Sequence, residues 1–289
     1  MVGYTVLGGD MGSWTLDDIP WRQLDRARID PEILRIVKAA ALVEYNGGAY
    51  AHHLCRVFAG DPDFSANAER WGNEEVQHGV ALARWAQLAD PDFDFPAAIA
   101  RFRAGFRPNF DSDRSRRGSL AGEMLARCIV ETGTSSYYTA LREATDEPVL
   151  QEICRHIAAD ELRHYRLFYK TMNAYQARQP LGLWTRLRIA LGRVAETEDD
   201  ELAYAYYAAN EAGMDYDRRR CSRAYAGRAF ALYRPHHVER IVAMVLKAVG
   251  LTPNGRLGRV LAWVSWQLMR RRADHLAKPA RSCVLRDAL

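Results

Sequence analysis

WGNEEVQHG, residues 71–79, places two carboxylates and an imidazole within one turn of an otherwise apolar helical pattern. Charged side chains seldom enter a protein core alone. At helical spacing, Glu75 and His78 share a face with Trp71, Leu82 and Trp85, so they need a counterpart inside the protein. The second half of the chain supplies one. IAADELRHY, residues 157–165, repeats the order acid, Glu, two residues, His, giving Glu74-Glu75-x-x-His78 and Asp160-Glu161-x-x-His164. Glu and His at i and i+3 project the same way, so each pair can ligate one ion through an oxygen and a ring nitrogen. The acid preceding each Glu stands four positions from the His. The spacing predicts that Glu74 accepts the second ring N–H of His78, and Asp160 that of His164, fixing tautomer and orientation.

Outward from these motifs the chain reads as helices. Asp30 and Pro31 look like an N-cap and first helical position, opening a helix that continues through EILRIVKAAALVEYNGGAYAHHLCRVF. A second helix is expected from the N-cap Ser65 to about Leu88, a third from Ser119 to Ala144, and a fourth from Glu147 to Ala174. Residues 97–118 between the pairs form a connector carrying Arg101, Arg103, Arg107, Arg114, Arg116 and Arg117. Glu44 on the first helix and Glu131 on the third supply the remaining carboxylates. Glu44 precedes Glu75 by 31 positions and Glu131 precedes Glu161 by 30, so both hairpins bring their carboxylates to nearly one level. Period-two β-branched runs are scarce, so the expected fold class is all-α. The predicted layout is an irregular arm over 1–30, a four-helix bundle over 31–175 and an accessory helical region over 176–289, its helices separated at Gly192, Gly213, Pro235 and GLTPNG. Four Glu and two His in one dry layer suit iron or manganese, whose charge would neutralise them.

Composition bounds the rest. A chain of 289 residues, 48% hydrophobic, is long enough for one large domain with an appendix. The formal charge of +4 is a mild excess that selects no polyanionic partner. Five cysteines without a C-x-x-C pair suggest free thiols. The opening MVGYTVLGGDMGSW lacks the pattern of a secretory signal, and no apolar run approaches the ~20 residues that cross a bilayer. A cytoplasmic location is therefore expected.

At these motifs the sequence resembles the ferritin-like diiron oxidases, and most of all the soluble acyl-carrier-protein (type 2) fatty acid desaturases. WGNEEVQHG is similar to their W-x-x-E-E-x-x-H-G segment and AADELRH to their D-E-x-R-H segment. The likeness covers residues 30–175. It implies a ferritin-like four-helix bundle with additional C-terminal helices, two iron ions (or manganese, or a mixed pair) and O2 as co-substrate. It implies Glu44, Glu75, His78, Glu131, Glu161 and His164 as ligands, with Glu75 and Glu161 bridging. Thr134, three residues after Glu131, matches a threonine those desaturases use in proton delivery. An external electron donor, ferredoxin-like or a reductase, is implied as well. The chain departs from rubrerythrins in lacking C-x-x-C pairs. It departs from diiron arylamine oxygenases in having Ile157 where they carry a third histidine.

The expected function is O2-dependent hydroxylation or desaturation at a C–H bond of an apolar, possibly fatty-acyl, substrate. Three alternatives stay open: a ferritin-like iron-storage protein, a hydroxylase or N-oxygenase of a non-lipid substrate, and an RNA-modifying hydroxylase, although no aromatic-basic nucleic-acid signature is present. Gly47 and Gly48 read either as a substrate cavity beside Glu44 or as a close helix contact, with the small residues after Glu131 favouring the cavity. His156 reads as a core or supporting residue. His52, His53, His236 and His237 read as structural or surface residues, and Trp71, Tyr137 and Tyr138 as packing. The arginine connector is a candidate dock for acyl carrier protein or another acidic partner. The segment RLGRVLAWVSWQLMRRR suits either burial against the bundle or peripheral contact with a membrane. A homodimer is expected.

Overall fold

The structure is a computed structural model describing residues 14–107, 110, 112–196 and 200–277. The first thirteen residues of the arm, on which the signal-peptide reading rests, and residues 278–289 of the accessory region lie outside the described residues. Among the described residues every regular element is helical.

Three short 3-10 turns, Leu16–Asp18, Trp21–Gln23 and Arg26–Arg28, lead to α1 (Pro31–Tyr45). Asp30 caps α1 by accepting from the Glu32 N–H, with Pro31 at the first position. The chain then turns at Asn46, and α2 (Gly47–Val57) begins, so the single helix expected here is two. α3 (Pro62–Ala89) starts earlier than Ser65 suggests, because Asp61 caps it through the Phe64 N–H. The arginine connector is not a loop throughout, since α4 (Phe95–Gly105) occupies its first half. There Arg101 bonds the Ala208 carbonyl, and further on Arg117 pairs with Glu196, so two of the proposed docking arginines are engaged within the chain. α5 (Leu120–Ala144) is capped by Ser119, and α6 (Pro148–Arg178) by Glu147.

α1 and α2 pack along α3, α5 along α6, and α3 meets α6, so the two helical hairpins are joined through α3 and α6. The remainder forms α7 (Leu183–Ala195), α8 (Asp200–Asn210), α9 (Arg218–Leu232), α10 (Pro235–Ala248) and α11 (Arg256–Ala277). Gly192 does not separate two helices; it lies within α7. α8 packs on α1, α7 and α10 on α5, and α11 on α9 and α10.

The core divides into two apolar clusters. One contains Leu42, Leu82, Trp85, Tyr138 and Ile157; the other contains Ala51, Trp71, Cys128, Tyr165 and Phe168. On each of the four chain segments the named carboxylates fall between members of the two. A polar layer thus crosses the bundle, roofed and floored by hydrocarbon.

Candidate metal centre

Six side chains meet in that layer. Glu44 comes from α1, Glu75 and His78 from α3, Glu131 from α5, and Glu161 and His164 from α6, and all are buried. They form two groups of four, Glu44-Glu75-His78-Glu161 and Glu75-Glu131-Glu161-His164, each with one potential ligand atom per residue within 4.8 Å of the others. Glu75 and Glu161 belong to both. His78 Nδ1 lies 3.4 Å from Glu161 and 3.8 Å from Glu44. His164 Nδ1 lies 3.1 Å from Glu75 and 3.7 Å from Glu131. The two rings stand 5.9 Å apart.

The atoms facing inward lack hydrogen-bond partners. Glu75 Oε1, His78 Nδ1, Glu131 Oε1, Glu161 Oε1 and His164 Nδ1 are all buried and unpaired. Buried polar atoms are rarely left so, and five converging on one point fit a cation. Charge agrees, since four carboxylates and two neutral imidazoles balance two divalent ions.

The outer ring nitrogens are held, but not as the spacing predicts. His78 Nε2 meets Asp160 on α6 at 3.0 Å, and His164 Nε2 meets Glu74 on α3 at 2.7 Å. Each ring is gripped by the opposite motif, not its own. The reason is rotational: one residue is a 100° step, which turns Glu74 and Asp160 off the faces of Glu75 and Glu161 and toward the facing helix. Arg163 joins the two grips, bonding both Asp160 and Glu74. From the arm, Trp14 donates its indole N–H to Asp160 at 2.7 Å.

Thr134 donates its hydroxyl to Glu161 at 2.7 Å, and also lies 3.3 Å from the Glu131 carbonyl. Tyr138, expected to be packing, donates to Glu44 at 2.5 Å. Sequence held a signal for Tyr138, which lies seven residues after Glu131 and hence on its face. It held none for Trp14, whose contact spans 146 positions. His156 stacks on Trp14 at 4.9 Å, outside both ligand groups. Trp71 sits edge-on to His164 at 6.4 Å and packs on Phe168.

At Gly47 the structure shows a close helix contact, the other of the two readings, whereas Gly48 is not pressed by any neighbour. A Cβ on Gly47 would overlap the Cβ of Glu75, and one on Gly48 would sit 3.6 Å from Val76, an ordinary contact. Gly72 against Ala51 and Gly79 against the Tyr45 backbone repeat the pattern. These glycines let α3 lie close against α1 and α2, which sets Glu44 and Glu75 at ligand distance.

Electrostatics follow from the burial. Burial, reinforced by the Glu161 and Glu44 carboxylates, pushes Glu75 far above the usual carboxylate range. Burial and Glu161 push Glu131 up to about 8. Glu161 goes the other way: burial opposes it, but the facing His164 and His78 rings hold it well below the ordinary value. Both imidazoles are raised despite burial, His78 by the facing Asp160, Glu161 and Glu44 carboxylates, and His164 by those of Glu131, Glu161 and Glu74. Protons on these groups balance the layer, and cations can take their place.

A third cluster, Glu143 with His236 and His237, differs in kind. His237 Nδ1 accepts the Arg234 backbone N–H at 3.0 Å, so in the neutral ring Nε2 carries the proton and donates to Glu143. That leaves His237 no lone pair facing the cluster in its neutral form, and both rings tie α10 to α5 through Glu143.

No known family model matches the sequence, and no curated protein matches it either. The desaturase resemblance therefore rests on the two sequence motifs.

Proposed function

We propose that this protein is a dinuclear-metal, O2-dependent oxidoreductase of the ferritin-like diiron class, acting on a C–H bond of an apolar substrate. One observation carries the reading: two carboxylate–imidazole groups share Glu75 and Glu161 in a dry layer, their unpaired atoms turned toward one another. Glu44 and His78 would hold one ion, Glu131 and His164 the other, and Glu75 and Glu161 would bridge. Oxygen-rich donors with one imidazole per ion favour iron or manganese over softer metals. When bound, such a pair supplies electrons to O2 and an oxidant strong enough for an unactivated C–H bond.

The chain's own residues do the rest. Asp160 and Glu74 orient the imidazoles and raise their basicity. Thr134 and Tyr138 each hold a proton on a ligand carboxylate oxygen, Glu161 and Glu44 respectively, where a proton can be passed inward. The hydrocarbon layers above and below exclude bulk water, which preserves the strength of every charge interaction inside.

Anaerobic ferrous titration of the purified protein should saturate at two ions per chain, and Glu161→Ala should lower that number. Binding of no metal, or an unchanged stoichiometry in the variant, refutes the ligand assignment. Admitting O2 to the reduced protein should then give a transient visible absorption. Slow deposition of a large ferric core, with no such transient, would favour iron storage.

A further inference from the structure

The C-terminal helix presents an unusual outer surface. α11 packs inward through Ala262, Trp266 and Met269. Its opposite face is apolar too: Val260 is 58% exposed, Trp263 66% and Leu268 60%, with Leu257, Leu261 and Val264 also exposed. One face of the helix is buried against its neighbours, as one of the two expected outcomes has it, while the opposite face stays open. Exposed apolar surface of this extent on a folded protein marks an interaction site.

Charge frames the patch. Arg256 and Arg259 stand at one end and Arg270, Arg271 and Arg272 at the other, with no acidic residue between 256 and 273. At ~1.5 Å per residue, the apolar stretch between Arg259 and Arg270 is about 16 Å long. α7 repeats the composition. Leu183, Trp184, Leu191 and Val194 are exposed along one stripe, Trp184 at 82%, and no acid occurs from 183 to 195. The Arg186 side chain of α7 lies against Gly250, in the turn between α10 and α11, which brings α7 near the start of that connection.

We propose that α11, with the outward stripe of α7, is a docking surface for an anionic lipid bilayer. The tryptophans and aliphatic side chains enter the headgroup boundary while the arginines meet the negative lipids. Among the described residues no helix is long and apolar enough to cross, so α11 lies in the membrane plane. A second copy of the chain is the poorer occupant. With arginines at both ends of α11, either parallel or antiparallel pairing of the two faces sets guanidiniums against guanidiniums. The proposal rests on the surface alone and stands whether or not the metal layer is an oxidase.

The test is co-sedimentation of the full-length protein with vesicles of phosphatidylcholine alone and of phosphatidylcholine mixed with phosphatidylglycerol. Binding to the mixed vesicles is expected, weakening as sodium chloride is added. Val260→Glu with Trp263→Glu, and separately Arg270→Glu with Arg271→Glu, should each reduce it about tenfold or more. Circular dichroism checks that both variants keep wild-type helicity. Independently of any variant, tryptophan fluorescence of the wild type should become shielded from an aqueous quencher when mixed vesicles are added. Failure to sediment, equal binding to neutral vesicles, or wild-type binding by both folded variants would overturn the proposal. So would gel filtration showing a dimer that Trp263→Glu dissociates, with no vesicle binding, since the face would then be a self-association surface.

Discussion

Asp160 and Glu74 show how a single residue step redirects a function. Each sits beside a ligand glutamate, yet each serves the histidine of the other motif, at 3.0 Å for His78 and 2.7 Å for His164. Asp160→Asn should weaken metal affinity about 10–100-fold, read by competition with a chromogenic chelator. Nitrogen chemical shifts locate the effect: Asp160→Asn should move the His78 ring resonance, and Glu74→Gln that of His164. The opposite assignment would restore pairing within each motif. Gly47 makes a second point at this scale. Gly47→Ala forces a methyl into the Glu75 side chain, at a cost of about 1–3 kcal/mol, visible as a lower melting temperature together with weaker metal binding. Four of the six inward-facing residues were legible because i, i+3 spacing is a strong geometric constraint, and Glu44 and Glu131 because they precede Glu75 and Glu161 by nearly equal separations. The crossed acceptors were not, since spacing along one helix says nothing about which facing helix is nearer. The role of Gly47 was half legible: glycine announces close approach or open space, and only the neighbour's position decides between them.

The helices themselves end where capping chemistry places them, and one cap has a larger part. Glu147 is fully buried at the start of α6, where it accepts from the Leu150 N–H at 2.7 Å, the Trp85 indole at 2.7 Å and the Asp25 N–H at 3.1 Å. It therefore binds α6, α3 and the arm together. Glu147→Ala strands all three donors and should cost about 3 kcal/mol, measured by urea unfolding. The helices that carry the six inward-facing residues were readable from apolar periodicity, and Asp30, Ser119 and Glu147 marked their starts correctly. Two boundaries escaped. Asp61 outcompetes Ser65 as a cap because Pro62 follows it with φ already set for a helix. The break at Asn46 carries no proline, and the pattern of small residues on either side runs through it unchanged. The helix inside the arginine connector was hidden by its charges, although Phe102 on its inner face is buried.

Across the whole molecule, the proposed metal binding would be coupled to pH. Glu75, Glu131 and both imidazoles all carry raised pKa values, Glu131 reaching about 8. Near neutrality they hold protons that an incoming cation must displace. Affinity should accordingly rise as pH goes from 6 to 8, because fewer protons then compete. Isothermal titration in buffers of different ionisation enthalpy would count the protons released, and a flat profile would contradict the assignment. The all-α class followed from the sequence, as did the existence of extra C-terminal helices. Their placement did not, because packing of α8 on α1 and α10 on α5 joins segments that share no local pattern. The outward apolar face of α11 was equally hidden, since its sequence is apolar on two sides and only the neighbours show which is covered.

The exchanged grip on the imidazoles has a consequence for assembly. Neither helical hairpin contains a ring together with the group that steadies it, so a half-formed bundle offers only loosely swinging histidines. Under the proposed function, tight metal binding would then be a late event, reporting that the two hairpins have interlocked. The same reciprocity would keep the nascent chain a poor chelator until its architecture is complete.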